Sequence, residues 1–288
     1  MASRPRTLPA AVAPVLVGTA AAVEASDELR LGAFVAALVG SVFIQIGTNL
    51  ANDYSDAKRG ADSMDRLGPV RVTASGLVAP RRVLVATWVA FGVAVAAGIY
   101  LTAVAGPVIL AVGAVSILAG VLYTGGPRPY GYAGLGEAFV FLFFGLVAVN
   151  GSYFVQVERL DWVPFALSIL VGFLSTAILV VNNVRDTDTD RRAGKRTLAV
   201  RMGRARSRAL YTGLVASTYI GLPVALLSAR GPAWGLLALA SLPLAARPLR
   251  AVRTRTDGPA LNSALAGTGA LLAAFSILLT AGLLIATA

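Results

Sequence analysis

"NLANDYSDAKRGAD", residues 49–62, closes one of the most apolar runs in the chain. Lipid-facing sequence has no use for Asn49, Asn52, Asp53 and Asp56 so close together. Polar and ionisable groups at membrane depth are costly and persist where they serve a function. The stretch then turns basic at Lys58 and Arg59. The apolar residues before it, 31–52, are enough to cross a bilayer core as a helix. The stretch therefore marks a helix leaving the membrane with its polar residues at the boundary.

The rest of the chain fits that reading. Of 288 residues, 57% are hydrophobic and only 14% charged, and the mean hydropathy is +0.74. This composition points to an all-α, polytopic membrane protein. Apolar runs at 8–24, 31–52, 83–101, 104–123, 134–156, 162–184, 208–229, 232–248 and 261–286 predict about nine transmembrane helices. The first carries Pro9 and Pro14, and the eighth carries Pro243 and Pro248. The first run, entered from Arg4 and Arg6, reads as a retained helix and not as a cleaved leader. We expect one domain over 1–288, with two acidic-motif halves at about 1–130 and 131–288.

Charge sets the orientation. With nine helices and the N-terminus inside, only Arg30, Arg159 and Arg230 of the 25 Lys and Arg fall on the outer side. The positive-inside rule thus places the N-terminus and the two long loops, about 53–82 and 185–207, in the cytoplasm, which suits a plasma-membrane protein. The net charge of +11 is then topology, and nucleic-acid binding is not expected. The chain has no Cys and no His, so disulfides, thiolate nucleophiles, histidine bases and common zinc ligands are excluded. A bound metal would have oxygen ligands only, which suits Mg²⁺.

A second polar cluster, "NNVRDTDTDRRAGKR" at 182–196, ends the sixth run as the first ends the second. Each runs from an Asn-rich helix end through helically spaced aspartates into bases and glycine, a weak internal repeat. On a helix, Asn49, Asn52/Asp53 and Asp56 share one face, and so do Asn182, Asp186 and Asp190, whereas Asp188 points elsewhere. Carboxylates stacked in this way repel unless a cation sits between them. Two such faces opposed would form an oxygen-rich cage for Mg²⁺ with positions left for phosphate oxygens. Lys58, Arg59, Arg71, Lys195 and Arg196 lie within reach of these helix ends, and metal with Lys and Arg is a common way to hold a diphosphate. A charged pocket opening into an apolar bundle suits a substrate with a diphosphate head and a hydrocarbon tail.

At these residues the chain resembles the UbiA superfamily of intramembrane aromatic prenyltransferases. The resemblance lies in Asn49/Asp53/Asp56 and in Asp186/Asp190. Within the superfamily it is closest to the menaquinone-pathway enzymes acting on 1,4-dihydroxy-2-naphthoate. The segments that carry this are "RPRTLPAAVAPVLVGTA" (4–20), the opening stretch, "GPVRVTASG" (68–76), "YTGGPRPYGYAGLGE" (123–137) and "NNVRDTDTDRRAGKRTLAVRMG" (182–203). The last three helices match only in hydrophobic character. The resemblance implies that Mg²⁺ on the Asp motifs binds the diphosphate of an all-trans polyprenyl donor, with Arg71, Lys195 and Arg196 as phosphate partners. The naphthoate ring then attacks the allylic cation, and CO₂ is lost. It also implies a place for Tyr123 near the reacting centre, for Arg128 near the acceptor carboxylate or a phosphate, and for Glu137 just inside helix five; Arg6, before Pro9, is either an anchor at the interface or a contact to the acceptor acid.

The acidic motifs alone do not separate dihydroxynaphthoate from acceptors such as 4-hydroxybenzoate or homogentisate. A membrane CDP-alcohol phosphotransferase would need a D-G-x-x-A-R core, which is absent. A cation transporter would favour polar residues near helix midpoints, whereas these acids lie at helix ends. No motif reports tail length or oligomeric state.

Overall fold

In the computed structural model, the structure describes residues 4–60, 67–68 and 71–287. Ala61 and Asp62 of the opening stretch, and Pro69 and Val70 of the 68–76 segment, lie outside the described residues. Nine apolar helices follow one another: α1 Pro9–Ser26, α2 Leu31–Lys58, α3 Pro80–Ala105, α4 Val108–Leu122, α5 Gly136–Val157, α6 Trp162–Arg192, α7 Arg204–Ala229, α8 Ala233–Thr254 and α9 Gly258–Ile285. Among the described residues, eight are long and apolar enough to cross a membrane; α4 is equally apolar but shorter, at 15 residues. The protein is a multi-pass membrane protein, and the nine expected segments are all present.

Two helices are much longer than their apolar runs. α2 has 28 residues and α6 has 31, or about 42 and 46 Å at 1.5 Å per residue. The hydrocarbon core is about 30 Å thick, so both must project beyond it. Both helices run without a break, through Gly40 and Gly47 in α2 and Gly172 in α6, and the first left-handed residues after them are Gly60 and Gly194, with φ values of 64° and 73°. The polar clusters are therefore the last turns of continuous helices and not the start of loops.

The termination of α6 places a functional side chain. The Lys195 N–H donates to the Asp190 carbonyl at 2.9 Å and the Gly194 N–H to the Arg191 carbonyl at 3.2 Å. This is the paired closure of a Schellman turn, and it folds Lys195 back under its own helix.

α1 and α6 are the most enclosed helices, and α9 covers them. Their contact faces supply most of the main core, including Val17, Leu170, Leu174, Val181, Leu271 and Phe275. Small residues let the helices approach closely, as is usual in lipid. A Cβ on Gly145 would lie 2.6 Å from Gly172 Cα, so α5 and α6 touch backbone to backbone there. At that crossing α5 widens into a π-helical stretch, Phe141–Val147. Large apolar side chains such as Trp88, Ile99, Leu118, Ile220 and Leu227 face outward, where lipid replaces water as solvent.

Candidate active site

The ends of α2 and α6 meet at one cavity of about 340 Å³. Along α2 its lining runs from Ala37 to Asp56, a rise of about 28 Å. One end is apolar, with Gly40 and Ile44 of α2, Gly98 and Leu101 of α3, and Gly113 of α4 in its wall. The other carries Asn49, Asn52 and Asp56 of α2, and Asn182, Asp186 and Asp190 of α6, with Arg71, Lys195 and Thr197 from the connections. The two predicted polar faces therefore line the same space.

Asp56 joins the two halves. Its Oδ2 lies 2.9 Å from Arg71 Nη2 and 3.3 Å from Lys195 Nζ, and its Oδ1 accepts from the Tyr132 hydroxyl at 2.6 Å. All four groups are in or close to the interior. A buried carboxylate holding two cations is balanced by charge and hydrogen bonds together. Lys195 also stands 4.8 Å from the centre of the Tyr132 ring, close enough for a cation–π contact.

Asp53, one residue beyond Asn52, does different work. Its Oδ1 accepts from the Thr73 N–H at 2.9 Å and its Oδ2 from the Val72 N–H at 3.2 Å. It is buried but is not part of the cavity lining. The turn it holds begins at Arg71, closed by Ser75 N–H to the Arg71 carbonyl at 3.0 Å. Asp53 thus anchors the turn that delivers Arg71 to Asp56.

On α6, Arg185 grips Asp186 with two charge-assisted bonds, Nε to Oδ1 at 2.8 Å and Nη2 to Oδ2 at 2.6 Å. Asn182 Oδ1 also accepts from Arg185 Nη2 at 2.8 Å. Asp190 Oδ2 faces the Thr197 hydroxyl at 3.5 Å. Asp188 is turned outward, 2.9 Å from Arg204. On α2, Asn52 Oδ1 accepts from Thr124 Oγ1 at 2.9 Å.

The predicted basic residues divide. Arg71 and Lys195 are buried in the cavity wall, whereas Lys58 and Arg196 are exposed and outside it. Arg196 contributes only its backbone, whose N–H donates to the Tyr132 carbonyl at 2.9 Å. Arg59 is also exposed; it donates to the Gly126 carbonyl and lies 5.9 Å over the Tyr132 ring. Arg6 and Arg128 are exposed and do not line the cavity, but Arg4 does. Glu137 is buried behind the wall, where its Oε1 accepts from Asn183 Nδ2 at 2.8 Å; Asn183 itself lines the cavity.

Tyr123 lines the cavity and starts an aromatic ladder. Its ring meets Tyr130 edge-on at 5.4 Å, Tyr130 stacks on Phe139 at 3.9 Å, and Phe139 lies 6.0 Å from Phe143. Glycines make room for it: a Cβ on Gly131 would come 2.9 Å from the Tyr123 ring. The Tyr130 hydroxyl donates to the Ala119 carbonyl at 2.9 Å, and burial pushes its phenol above the ordinary value, so it stays protonated.

Sequence reasoning missed Arg4, Arg185, Tyr132, Thr197 and the Phe139–Phe143 ladder. Arg185 and Tyr132 sit inside segments already singled out, so their position in the motifs was a usable signal. For Phe139 and Phe143 there was none, since aromatic residues in an apolar helix are common.

The donor set fits a hard cation such as Mg²⁺: the polar end offers carboxylate and amide oxygens, with no sulfur or imidazole. Among the described residues no group of three or more acidic side chains is gathered for a metal; Asp56 is paired with Arg71 and Lys195, and Asp186 with Arg185. Metal and anionic ligand would therefore enter as partners, each satisfying charges the other leaves.

Comparison with known proteins agrees with this geometry. A 1,4-dihydroxy-2-naphthoate octaprenyltransferase of Mycobacterium tuberculosis is 46% identical over 93% of this chain and 90% of its own. One of Escherichia coli is 37% identical over the same shares. A solved UbiA homolog from Archaeoglobus fulgidus bound to GPP and Mg²⁺ has the same fold, with a TM-score of 0.64 at 14% identity, covering 96% of this chain and 97% of that one. With two polar helix ends facing one cavity, and residues 11–266 matching the family as a whole, the chain belongs to the UbiA prenyltransferase family.

Proposed function

We propose that the protein transfers an all-trans polyprenyl group from its diphosphate to 1,4-dihydroxy-2-naphthoate, with loss of CO₂ and diphosphate, giving demethylmenaquinol for menaquinone biosynthesis. One observation carries the reading: a single cavity joins an Asn/Asp/Arg/Lys end to a long apolar and aromatic wall. The names of the relatives at 46% and 37% identity supply the acceptor.

Asn52, Asp56, Asn182, Asp186 and Asp190, with Asn49 beside them, are the residues that would hold Mg²⁺. When bound, the ion neutralises diphosphate charge. Arg71 and Lys195 hold the diphosphate oxygens and stabilise the charge that builds on them as the C1–O bond breaks. The bond's electron pair leaves with diphosphate, and an allylic cation remains. Tyr123 and the ladder behind it present π faces to that cation, and the apolar wall keeps water away. The ring carbon bearing the carboxylate forms the new C–C bond; the carboxylate then departs as CO₂, returning an electron pair to the ring. Charge and atoms balance without an added base. Arg4, on the cavity wall, is placed to meet the acceptor acid.

We read the two motif-bearing halves as one domain, a reading supported by the pairing of Asp56 in the first with Lys195 in the second. We read the site and the N-terminus as facing the cytoplasm, in the plasma membrane, a reading supported by the concentration of Lys and Arg in the loops on that side. The deciding experiment supplies membranes carrying this chain with polyprenyl diphosphate and either dihydroxynaphthoate or 4-hydroxybenzoate. Prenylated naphthoquinol with CO₂ release is expected, and conversion of 4-hydroxybenzoate instead would overturn the acceptor assignment.

A further inference from the structure

The last helix carries no motif, yet one of its side chains reaches the site. Asn262, in the first turns of α9, accepts through Oδ1 from Arg185 Nη1 at 2.7 Å. Its Nδ2 donates to the Leu67 carbonyl at 2.8 Å. The two bonds fix the amide's orientation, because only the oxygen can face a guanidinium and only the nitrogen a carbonyl. The start of α9 is itself fixed, since Asp257 caps it by accepting from the Ala260 N–H at 2.9 Å.

Arg185 is fully buried, with 1% of its side chain exposed. A charge so enclosed depends on every partner it has. Three of its contacts, to both Asp186 oxygens and to Asn182, lie on its own helix. Those alone leave Nη1 without a bond and let the guanidinium swing with the helix end. Among the described residues, Asn262 supplies the one hydrogen bond to Arg185 from another element, so it sets where the Arg185 fork points and hence how Asp186 and Asn182 face the cavity.

We propose that Asn262 is a positioning residue for the cation–diphosphate site, acting through Arg185 on Asp186. This rests on the reading of Asp186 as a cation ligand given above. Partners that orient a ligating carboxylate change metal affinity by about 10–100-fold when removed.

The test uses the full chain purified in detergent, with Mn²⁺ as an EPR-visible stand-in for Mg²⁺ and geranyl thiodiphosphate as a non-reacting anion. In Asn262→Ala the apparent Kd for Mn²⁺ is expected to rise about 10-fold, while the KM for dihydroxynaphthoate stays at the wild-type value. Asn262→Asp, which keeps an oxygen for Arg185, is expected to restore Mn²⁺ binding. A purely structural role would lower the yield of folded protein without moving the Kd. If Asn262→Ala does not fold, Asn262→Ser, too short to reach Arg185, carries the same test. Wild-type Mn²⁺ binding in the Asn262 variant alongside weakened binding in Asp186→Ala would overturn the relay alone. Wild-type binding in Asp186→Ala would overturn the ligand reading and the relay with it.

Discussion

Lys195 Nζ stands 3.3 Å from Asp56 Oδ2, which joins the turn after α6 to the end of α2. Arg71 shares the same oxygen at 2.9 Å. Lys195→Met should therefore cut kcat/KM about 100-fold by removing a donor from the departing diphosphate. Steady-state kinetics against polyprenyl diphosphate checks this, and turnover near wild type would remove Lys195 from the site.

Asp56→Ala should be worse than Lys195→Met. It removes a predicted ligand and leaves two buried cations without their shared anion, an imbalance worth roughly 3–5 kcal/mol. Loss of turnover together with a lower detergent melting temperature is the expected pair of results. A stable, active variant would refute the assignment.

Asp53→Ala and Arg71→Ala should fail by the same route, because Asp53 holds the backbone of the turn that carries Arg71. The double variant is expected to be no worse than Arg71→Ala, the non-additivity of coupled residues. Fully additive losses would instead give Asp53 a separate role at the cation.

Tyr123→Phe keeps a π face in the ladder and Tyr123→Ala removes it. A cation–π contribution of about 1–2 kcal/mol in a desolvated site predicts kcat near wild type for the first and roughly 10-fold lower for the second. Equal losses in both would shift the role to the hydroxyl.

Gly145→Leu should prevent close packing of α5 on α6, since even a Cβ there would come 2.6 Å from Gly172 Cα. Reduced recovery of folded protein from membranes, measured by size exclusion in detergent, is the expected outcome. Normal recovery would mean that the crossing yields without penalty.

Much of this architecture was legible in the sequence. Nine apolar runs become nine helices because a bilayer leaves an apolar chain no other way to satisfy its backbone. Both polar clusters could be read as site candidates because Asn and Asp are too costly at membrane depth to be incidental. Helical spacing placed Asn49, Asn52, Asp53 and Asp56 on one broad face. It did not separate Asn52 from Asp53, which point about 100° apart around the axis.

Composition and periodicity determined the membrane fold and the two acidic helix ends, since both depend on local pattern and solvent. What each side chain meets was decided only by the tertiary structure. Asp53 turns to backbone amides while Asp56 turns to the cavity, and Lys195 is folded inward by a Schellman turn while Arg196 beside it faces out. Arg4 reaches the cavity that Arg6 does not, and Asn262 reaches Arg185 from a helix with no motif. Neighbouring residues of like chemistry are equivalent to a pattern, but buried charge requires a partner at hydrogen-bond distance, and only the packed helices bring that partner there.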